Sequence, residues 1–350
     1  MARTRAEIEP PPRPAILKDV ARRAGVDAST VSRVLRDDDR RPAKAETRER
    51  ILQIAREMGY TPNGVARSLR TRRTEAIGVV VPDVGNPAIA QIFGGIQRAT
   101  SAAGRHVIVI DGGTPARPEL GWDRLAFEGR VDGLLVLVAS VRDPTVLRVA
   151  RSGLPVVLVN RRSEGIAGSV VMDDARGAQV AVDHLAGLGH RRIAHITGPT
   201  NVDTARRRLA GFRAAMQAHA LPVRDGWIVA ADHTEAGGAE AARTLLAAAE
   251  RPSAVYVASF LAGVGATHVF REGGLRVPDD ISIVISDELS LAAHIAPPLT
   301  TVRMPLARMG EVAAAMLLRA VAGEPVEDMV LPDAPELVLR ASTAPPFGEG

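Results

Sequence analysis

Five residues near the start of the chain could do recognition chemistry on one side of a short helix: Ala28, Ser29, Thr30, Ser32 and Arg33. At 3.6 residues per turn, positions 28, 29, 32 and 33 share an outward face, with Thr30 near the helix start. Arginine can hold guanine through O6 and N7 together, and hydroxyls near a helix N-terminus suit phosphate oxygens. The face could therefore read a DNA duplex, although a plain helical hairpin with a solvated Arg33 has the same spacing. Reactive groups are sparse elsewhere. There is no cysteine, which removes disulfides, thiolate nucleophiles and cysteine zinc sites. The chain has no phosphate-binding loop, nucleophile elbow or metal-spaced His/Asp cluster. Gly263-Val-Gly265 lacks the third glycine of a dinucleotide fingerprint, and His190 and His195 flank a strand start, where histidines are usually structural. The expectation is a protein without enzymatic activity, cofactor or metal.

The recognition face needs a scaffold, and the flanking sequence supplies one. Val20, Ala21 and Ala24 form one apolar face, Gly25 breaks the chain, and Val31, Val34 and Leu35 form a second. After a polar loop, Ile51, Ile54, Ala55 and Met58 make a third helix that stops at Gly59. Residues 16–61 thus read as an all-α helix-turn-helix domain. Residues 1–15, with Pro10, Pro11, Pro12 and Pro14, read as a disordered arm. Residues 62–74 read as a short helix and linker. Asn63 can cap the helix, but Gly64 inside it costs ~1 kcal/mol relative to alanine, so alone it is marginal. Leu69 near its end has no evident core.

From Glu75 onward, apolar runs rich in Val and Ile alternate with helical stretches. The runs are Ala76–Val81, His106–Ile110, Gly133–Val138, Pro155–Val159, Arg192–Ile196, Ala254–Ala258 and Ile281–Ile285. Strands that are apolar throughout and separated by helices predict parallel sheets covered on both faces. Their number predicts two α/β subdomains with a cleft between them. Residues 344–350 read as a loose tail. Residues 1–75 hold 18 Lys and Arg against 11 Asp and Glu, leaving 26 of 44 basic and 29 of 40 acidic residues for the remainder. A basic head on a mildly acidic body suits a nucleic-acid module fused to a non-binding domain. No apolar run is long enough to cross a bilayer, and the first fifteen residues lack a signal-peptide core, so the expected compartment is the cytoplasm.

The run from Leu17 to Leu35 resembles the signature of the lactose-repressor family of bacterial transcriptional regulators. So do Thr47–Ile51, Met58–Asn63, Val65–Thr71, Ile77–Pro82, Arg130–Gly133, Leu188–Ala194 and Pro297–Val302. The resemblance implies that Ala28, Ser29 and Arg33 read major-groove bases, that Thr30 and Ser32 hold phosphates, and that Lys18 adds a phosphate contact. It also implies a minor-groove hinge helix containing Asn63, Val65 and Ala66, with Leu69 as the lever inserted at the central base step. A symmetric homodimer on a near-palindromic operator follows, and the tail has no leucine heptads that would build a tetramer. Two departures concern the head. Ile16 stands where the family often has a capping threonine, and the loop Arg36–Lys44 is about two residues longer than usual.

The same resemblance implies a two-lobed, periplasmic-binding-protein-like α/β domain over residues 75–343. Its N-lobe spans about 75–172 and 304–333, and its C-lobe about 173–302 and 334–343. A small-molecule effector, a sugar or related metabolite, would sit between the lobes. Arg208 matches the family's effector-binding arginine and Asp287 its acidic counterpart, with Asn160 and His233 as further candidates. Arginine opposite aspartate can hold vicinal hydroxyls by charge-assisted hydrogen bonds. Ser259 and Phe260 stand where the family typically has an Asn-Asp pair, so the expected effector is not an unmodified hexose.

Overall fold

The computed structural model describes residues 13, 15–35, 43–60, 73–113 and 121–347. They divide into two compact units, Met1–Thr74 and Glu75–Gly350. In the first, helices α1 (Leu17–Ala24), α2 (Ala28–Val34) and α3 (Ala45–Glu57) close around Val20, Ala24, Val31, Val34, Ile51 and Ile54. Gly25, at φ +64°, makes the turn between α1 and α2, a conformation that a side chain would disfavour. Asp27 caps α2 by accepting from Thr30 N at 2.8 Å. At the start of α1, Ile16 offers no cap oxygen. Only the reciprocal half of a capping box forms: Asp19 reaches back and accepts from Ile16 N at 3.0 Å. Loop residues 36–42 and the hinge residues Asn63, Val65, Ala66 and Leu69 lie outside the described residues.

The second unit holds two six-stranded sheets. In the first, β1 (Ala76–Val81), β2 (His106–Asp111), β3 (Gly133–Val136), β4 (Val156–Val159), β5 (Ser169–Val171) and β11 (Met329–Val330) run parallel in the order β11-β5-β4-β3-β1-β2. The second contains β6 (Ile193–Thr197), β7 (Ile228–Ala230), β8 (Ala254–Val257), β9 (Ser282–Ser286), β10 (Thr300–Arg303) and β12 (Glu336–Val338). Its order is β12-β10-β9-β8-β6-β7, and only β12 is antiparallel. β1, β3, β4, β8 and β9 are buried at every residue, as strands with helices on both faces must be.

The chain passes between the sheets three times: between Val171 and Asp174, between Arg303 and Leu306, and between Val330 and Glu336. The first passage leads into α7 (Asp174–Gly187), and the second into α11 (Leu306–Val321), which packs on α4 (Pro87–Ala102) of the first lobe. Because the lobes exchange segments, each passage can act as a hinge strand for the other two. In the second lobe α9 (Glu235–Leu246) and α10 (Phe260–Glu272) lie backbone against backbone. A Cβ on Gly265 would come within 1.9 Å of the Glu235 carbonyl oxygen, and one on Gly238 within 2.0 Å of that of Ala262. Gly265 is thus a packing residue, which accounts for the incomplete glycine motif around it. Between α5 (Asp123–Phe127) and α6 (Pro144–Arg151) the first lobe also carries the loop Ser140–Asp143. No helix among the described residues is long and apolar enough to cross a membrane.

Candidate functional site

Parallel strands present their carboxyl ends at one edge of each sheet, and the candidate residues of the body gather there. Asn160 follows β4, Ser259 lies two residues beyond β8, and Asp287 follows β9. Asn160 (φ +60°) and Asp287 (φ +73°) are held in the left-handed region, which costs a non-glycine residue about 1–2 kcal/mol. Strain of this kind persists only where the surroundings impose it, and it clusters at binding sites.

The centre of the group is Arg208 on α8 (Asp203–Ala218), 3% exposed. Its Nε donates to Asp174 Oδ1 at 2.8 Å, Nη1 to the Ala258 carbonyl, and Nη2 to Asp287 Oδ1 at 3.4 Å. Arg207 Nη2 donates to the other oxygen of Asp174 at 2.6 Å and its Nη1 pairs with Asp203. Burial opposes the charge on Arg208, but Asp287 and Asp174 outweigh it and hold the guanidinium above its ordinary pKa. Burial likewise pushes the Asp287 carboxyl up, with Arg208 opposing. The half-buried imidazole of His233 is pushed down to about 3 by desolvation and by the charges of Arg161 and Arg208, so it is neutral at any working pH.

Buried polar atoms of this group without a hydrogen-bond partner among the described residues include Asn160 Oδ1, Ser259 Oγ and Arg207 Nε. Ser259 is the N-cap residue of α10, yet its hydroxyl caps nothing. A serine in that position normally accepts from the first turn, so an uncommitted oxygen there is available to a ligand. Phe260, which the resemblance places at the cleft beside Ser259, turns into the core instead. Its ring is 3% exposed and packed in the apolar cluster of the second lobe with Ala262, Ile285 and Leu289.

The two lobes are tied together directly beside this group. Thr204 Oγ1 donates to the Asn160 carbonyl, Arg162 N to Asp203 Oδ2 at 3.1 Å, and Val141 N to the Asn201 carbonyl at 3.0 Å. On another side Gln91 Nε2 donates to the Glu288 carbonyl at 3.0 Å. A cavity of about 430 Å³ at this rim is lined by Ser140, Val141, Arg142, Glu164, Asn201 and Arg206, and shares none of the residues bonded to Arg208.

In the head, Ser29 is exposed, Lys18 is exposed, and Thr30, Ser32 and Arg33 are half-buried. Ala28 is not fully outward, since it packs partly against the helical core. Asp27 organises this face. Its carboxylate accepts from the hydroxyls of Ser29 and Thr30, which hold it well below the usual carboxylate range. Arg33 Nη2 in turn donates to Thr30 Oγ1 at 3.0 Å.

Residues 16–63 match the bacterial regulatory proteins of the lacI family, and residues 182–343 match the periplasmic binding protein-like domain. The HTH-type transcriptional repressor PurR of Photobacterium profundum is 34% identical over 94% of this chain and 98% of its own length. The ribose operon repressor of Escherichia coli is 33% identical over 94% of this chain and 99% of its own. The chain belongs to the lacI family of bacterial regulatory proteins.

Solved structures agree. The lac repressor dimer bound to operator and the anti-inducer ONPF superposes with a TM-score of 0.83 at 28% identity, over 95% of this chain and 100% of that one. A LacI family transcriptional regulator from Mycobacterium smegmatis is 40% identical with a TM-score of 0.74, over 77% of this chain and 100% of that one. The fold of this lacI-family chain is therefore a two-lobed periplasmic-binding-protein-like α/β domain preceded by a helix-turn-helix domain. Of the effector candidates read from the sequence, the structure brings Arg208 and Asp287 into contact, and Ser259 follows directly on the Ala258 carbonyl that Arg208 holds. Asn160 is linked through Thr204, and His233 through the charge of Arg208. Asp174, Arg207 and Arg161 escaped the sequence reading. Position was the only available signal, Arg161 directly after a strand-end asparagine and Asp174 at the first residue of a helix following a short strand.

Proposed function

We propose that this lacI-family regulator binds a near-palindromic operator as a homodimer and represses transcription under control of a small molecule held between its lobes. The observation that carries this is the buried group Arg208, Asp174 and Asp287 beside the unpartnered Asn160 Oδ1 and Ser259 Oγ, in a chain that also bears a DNA-reading head. Charged and polar groups buried in this way are costly unless a ligand completes them. The relatives are repressors, and the lac repressor structure is a dimer on operator DNA. A solved regulator, CelR, is in complex with cellobiose. We take the protein to act in the cytoplasm at the nucleoid, as a binding protein and not as an enzyme.

The mechanism is linkage. An effector gripped by Arg208 and Asp287 on the second lobe and by Asn160 on the first has more contacts when the lobes are closed than when they are open. It therefore shifts that equilibrium. The lobes move through the three passages, and the first lobe carries the chain that leads to residues 62–74. We read that segment as a marginal hinge helix that DNA orders, with Asn63, Val65 and Ala66 in the minor groove and Leu69 wedged at the central step. Genome-wide footprinting with the full chain should give sites with two inverted half-sites. On such a site Leu69→Ala should weaken binding and reduce the bend while the effector affinity is unchanged. Unchanged bending defeats the hinge reading, and asymmetric single sites defeat the dimer.

A further inference from the structure

We infer that the effector carries an anionic group, a carboxylate or a phosphate, which the Arg161 guanidinium receives. The inference rests on the effector cleft described above and names the chemical class of what fills it.

Three cations, Arg161, Arg207 and Arg208, and three carboxylates, Asp174, Asp203 and Asp287, meet in the cleft, but they are not paired one to one. Asp174 is shared between Arg207 and Arg208, Asp203 pairs with Arg207, and Asp287 faces Arg208. Each acid is therefore engaged. Arg161 enters from the first lobe, two residues past the end of β4 and next to Asn160. Its Nε donates to the Leu137 carbonyl, and among the described residues no carboxylate pairs with it. Its neighbours in charge are Arg207, Arg208 and the neutral His233. A cation facing other cations is destabilised. Burial, with the charges of Arg207 and Arg208, pulls Arg161 down to about 10.

A half-buried arginine without a carboxylate partner is suited to a ligand that supplies one, and the planar guanidinium fork fits both carboxylate and phosphate oxygens. The unpartnered Ser259 hydroxyl, 7% exposed, lies one residue past the carbonyl held by Arg208. It can donate to an oxygen of the same ligand. An anion bound there would sit between Arg161 of the first lobe and Arg208 of the second, and would favour closure. A neutral polyol would leave Arg161 facing two like charges in the closed state.

The test is thermal melting of the full chain in rising sodium phosphate, and separately in sodium acetate, each against sodium chloride at matched ionic strength. The expected result is a saturable rise in melting temperature with phosphate or with acetate that chloride does not give. The two salts separate a phosphate site from a carboxylate site. In Arg161→Met the half-saturating concentration should rise at least tenfold. In chloride the same variant should melt at or above the wild type, since the repulsion from Arg207 and Arg208 is relieved. Phosphate and acetate curves that both superpose on chloride overturn the inference, as does a saturable rise that survives Arg161→Met. A variant melting several degrees lower in chloride marks Arg161 as a structural residue and also overturns it. Failure of the wild type to footprint any operator would sink the regulator reading while leaving the anion titration standing.

Discussion

Asp174 holds two guanidinium groups at once: its Oδ1 accepts from Arg208 Nε at 2.8 Å, and its Oδ2 accepts from Arg207 Nη2 at 2.6 Å. The carboxylate is fully buried. The interior cost of two arginine charges is offset by this one acid, with help from Asp287 and Asp203. Replacing it by its neutral isostere keeps the shape and one acceptor but leaves the charges uncompensated. Breaking a buried ion pair from one side typically costs about 3–5 kcal/mol. Asp174→Asn should therefore lower stability by about that amount in urea titration of the full chain. Arg208, freed from its orientation, should bind effector more weakly even where the variant is folded. A loss under about 1 kcal/mol would mean that water reaches the pair.

His195 gives the second prediction. It is fully buried on β6, stacked between Phe212 at 4.9 Å and Tyr256 at 4.7 Å, and its Nδ1 lies 2.9 Å from the Tyr256 carbonyl. Burial pushes its pKa down to about 4, against an unfolded value near 6.5. Between those two values the unfolded chain binds the proton and the folded one does not. Stability is thus fully present above about pH 6.5 and declines as the pH falls toward 4, by on the order of 3 kcal/mol from this residue. Melting temperatures of wild type and His195→Gln between pH 7.5 and 4 test this. The variant should start lower and fall less steeply, and parallel curves would assign the acid sensitivity elsewhere.

The sequence showed best what depends on neighbours along the chain. The apolar run Ala76–Val81 is a strand with those bounds, and Gly25 and Gly59 take the left-handed backbone that their positions in the helical pattern suggested. β5, β7, β11 and β12 have two or three residues each, too few for any period to register. The helix Leu306–Val321 went unread, although Leu306, Met309, Ala313 and Leu317 carry its buried face at helical spacing. The number of strands implied a cleft, but Arg208 and Asp287 were legible as its residues only through resemblance, and Arg161 and Asp174 not at all. Residues 161, 174, 208 and 287 lie on four separate elements, and a charged residue at an element end looks solvated until the fold buries it. Nor could the spacing show that Phe260 faces the core while Ser259, one residue earlier, leaves its hydroxyl unpaired.

A third prediction separates two kinds of glycine. At Gly265 an added Cβ would lie 1.9 Å from the Glu235 carbonyl oxygen, an atom of the facing helix backbone that cannot rotate away. Gly265→Ala should therefore push α9 from α10 and cost about 1–3 kcal/mol. Gly187, at the end of α7, has open space around the same position. Gly187→Ala should be stabilising by roughly 0.5–1 kcal/mol through the lower entropy of the unfolded chain. Equal effects in the two variants would show that the helix pair is looser than its geometry implies.

The last prediction concerns the head, where the contacts proposed to read bases must be released from contacts within the protein. Arg33 rests on the Thr30 hydroxyl, and that hydroxyl donates to Asp27, so the guanidinium is held in place before any duplex arrives. Pre-positioning lowers the ordering cost of a bidentate grip on guanine. Arg33→Ala should accordingly cost about 1–3 kcal/mol on the preferred operator and flatten the preference at one base pair of each half-site. Lys18 is exposed at the start of α1, where the proposed contact is with a phosphate. Lys18→Ala should weaken all sequences alike and make the slope of log affinity against log salt shallower by about 1 per head. Binding titrations over a set of single-base operator variants, at several salt concentrations, measure both quantities together. If Lys18→Ala changed base preference, or Arg33→Ala moved only the salt slope, the two residues would have to exchange roles.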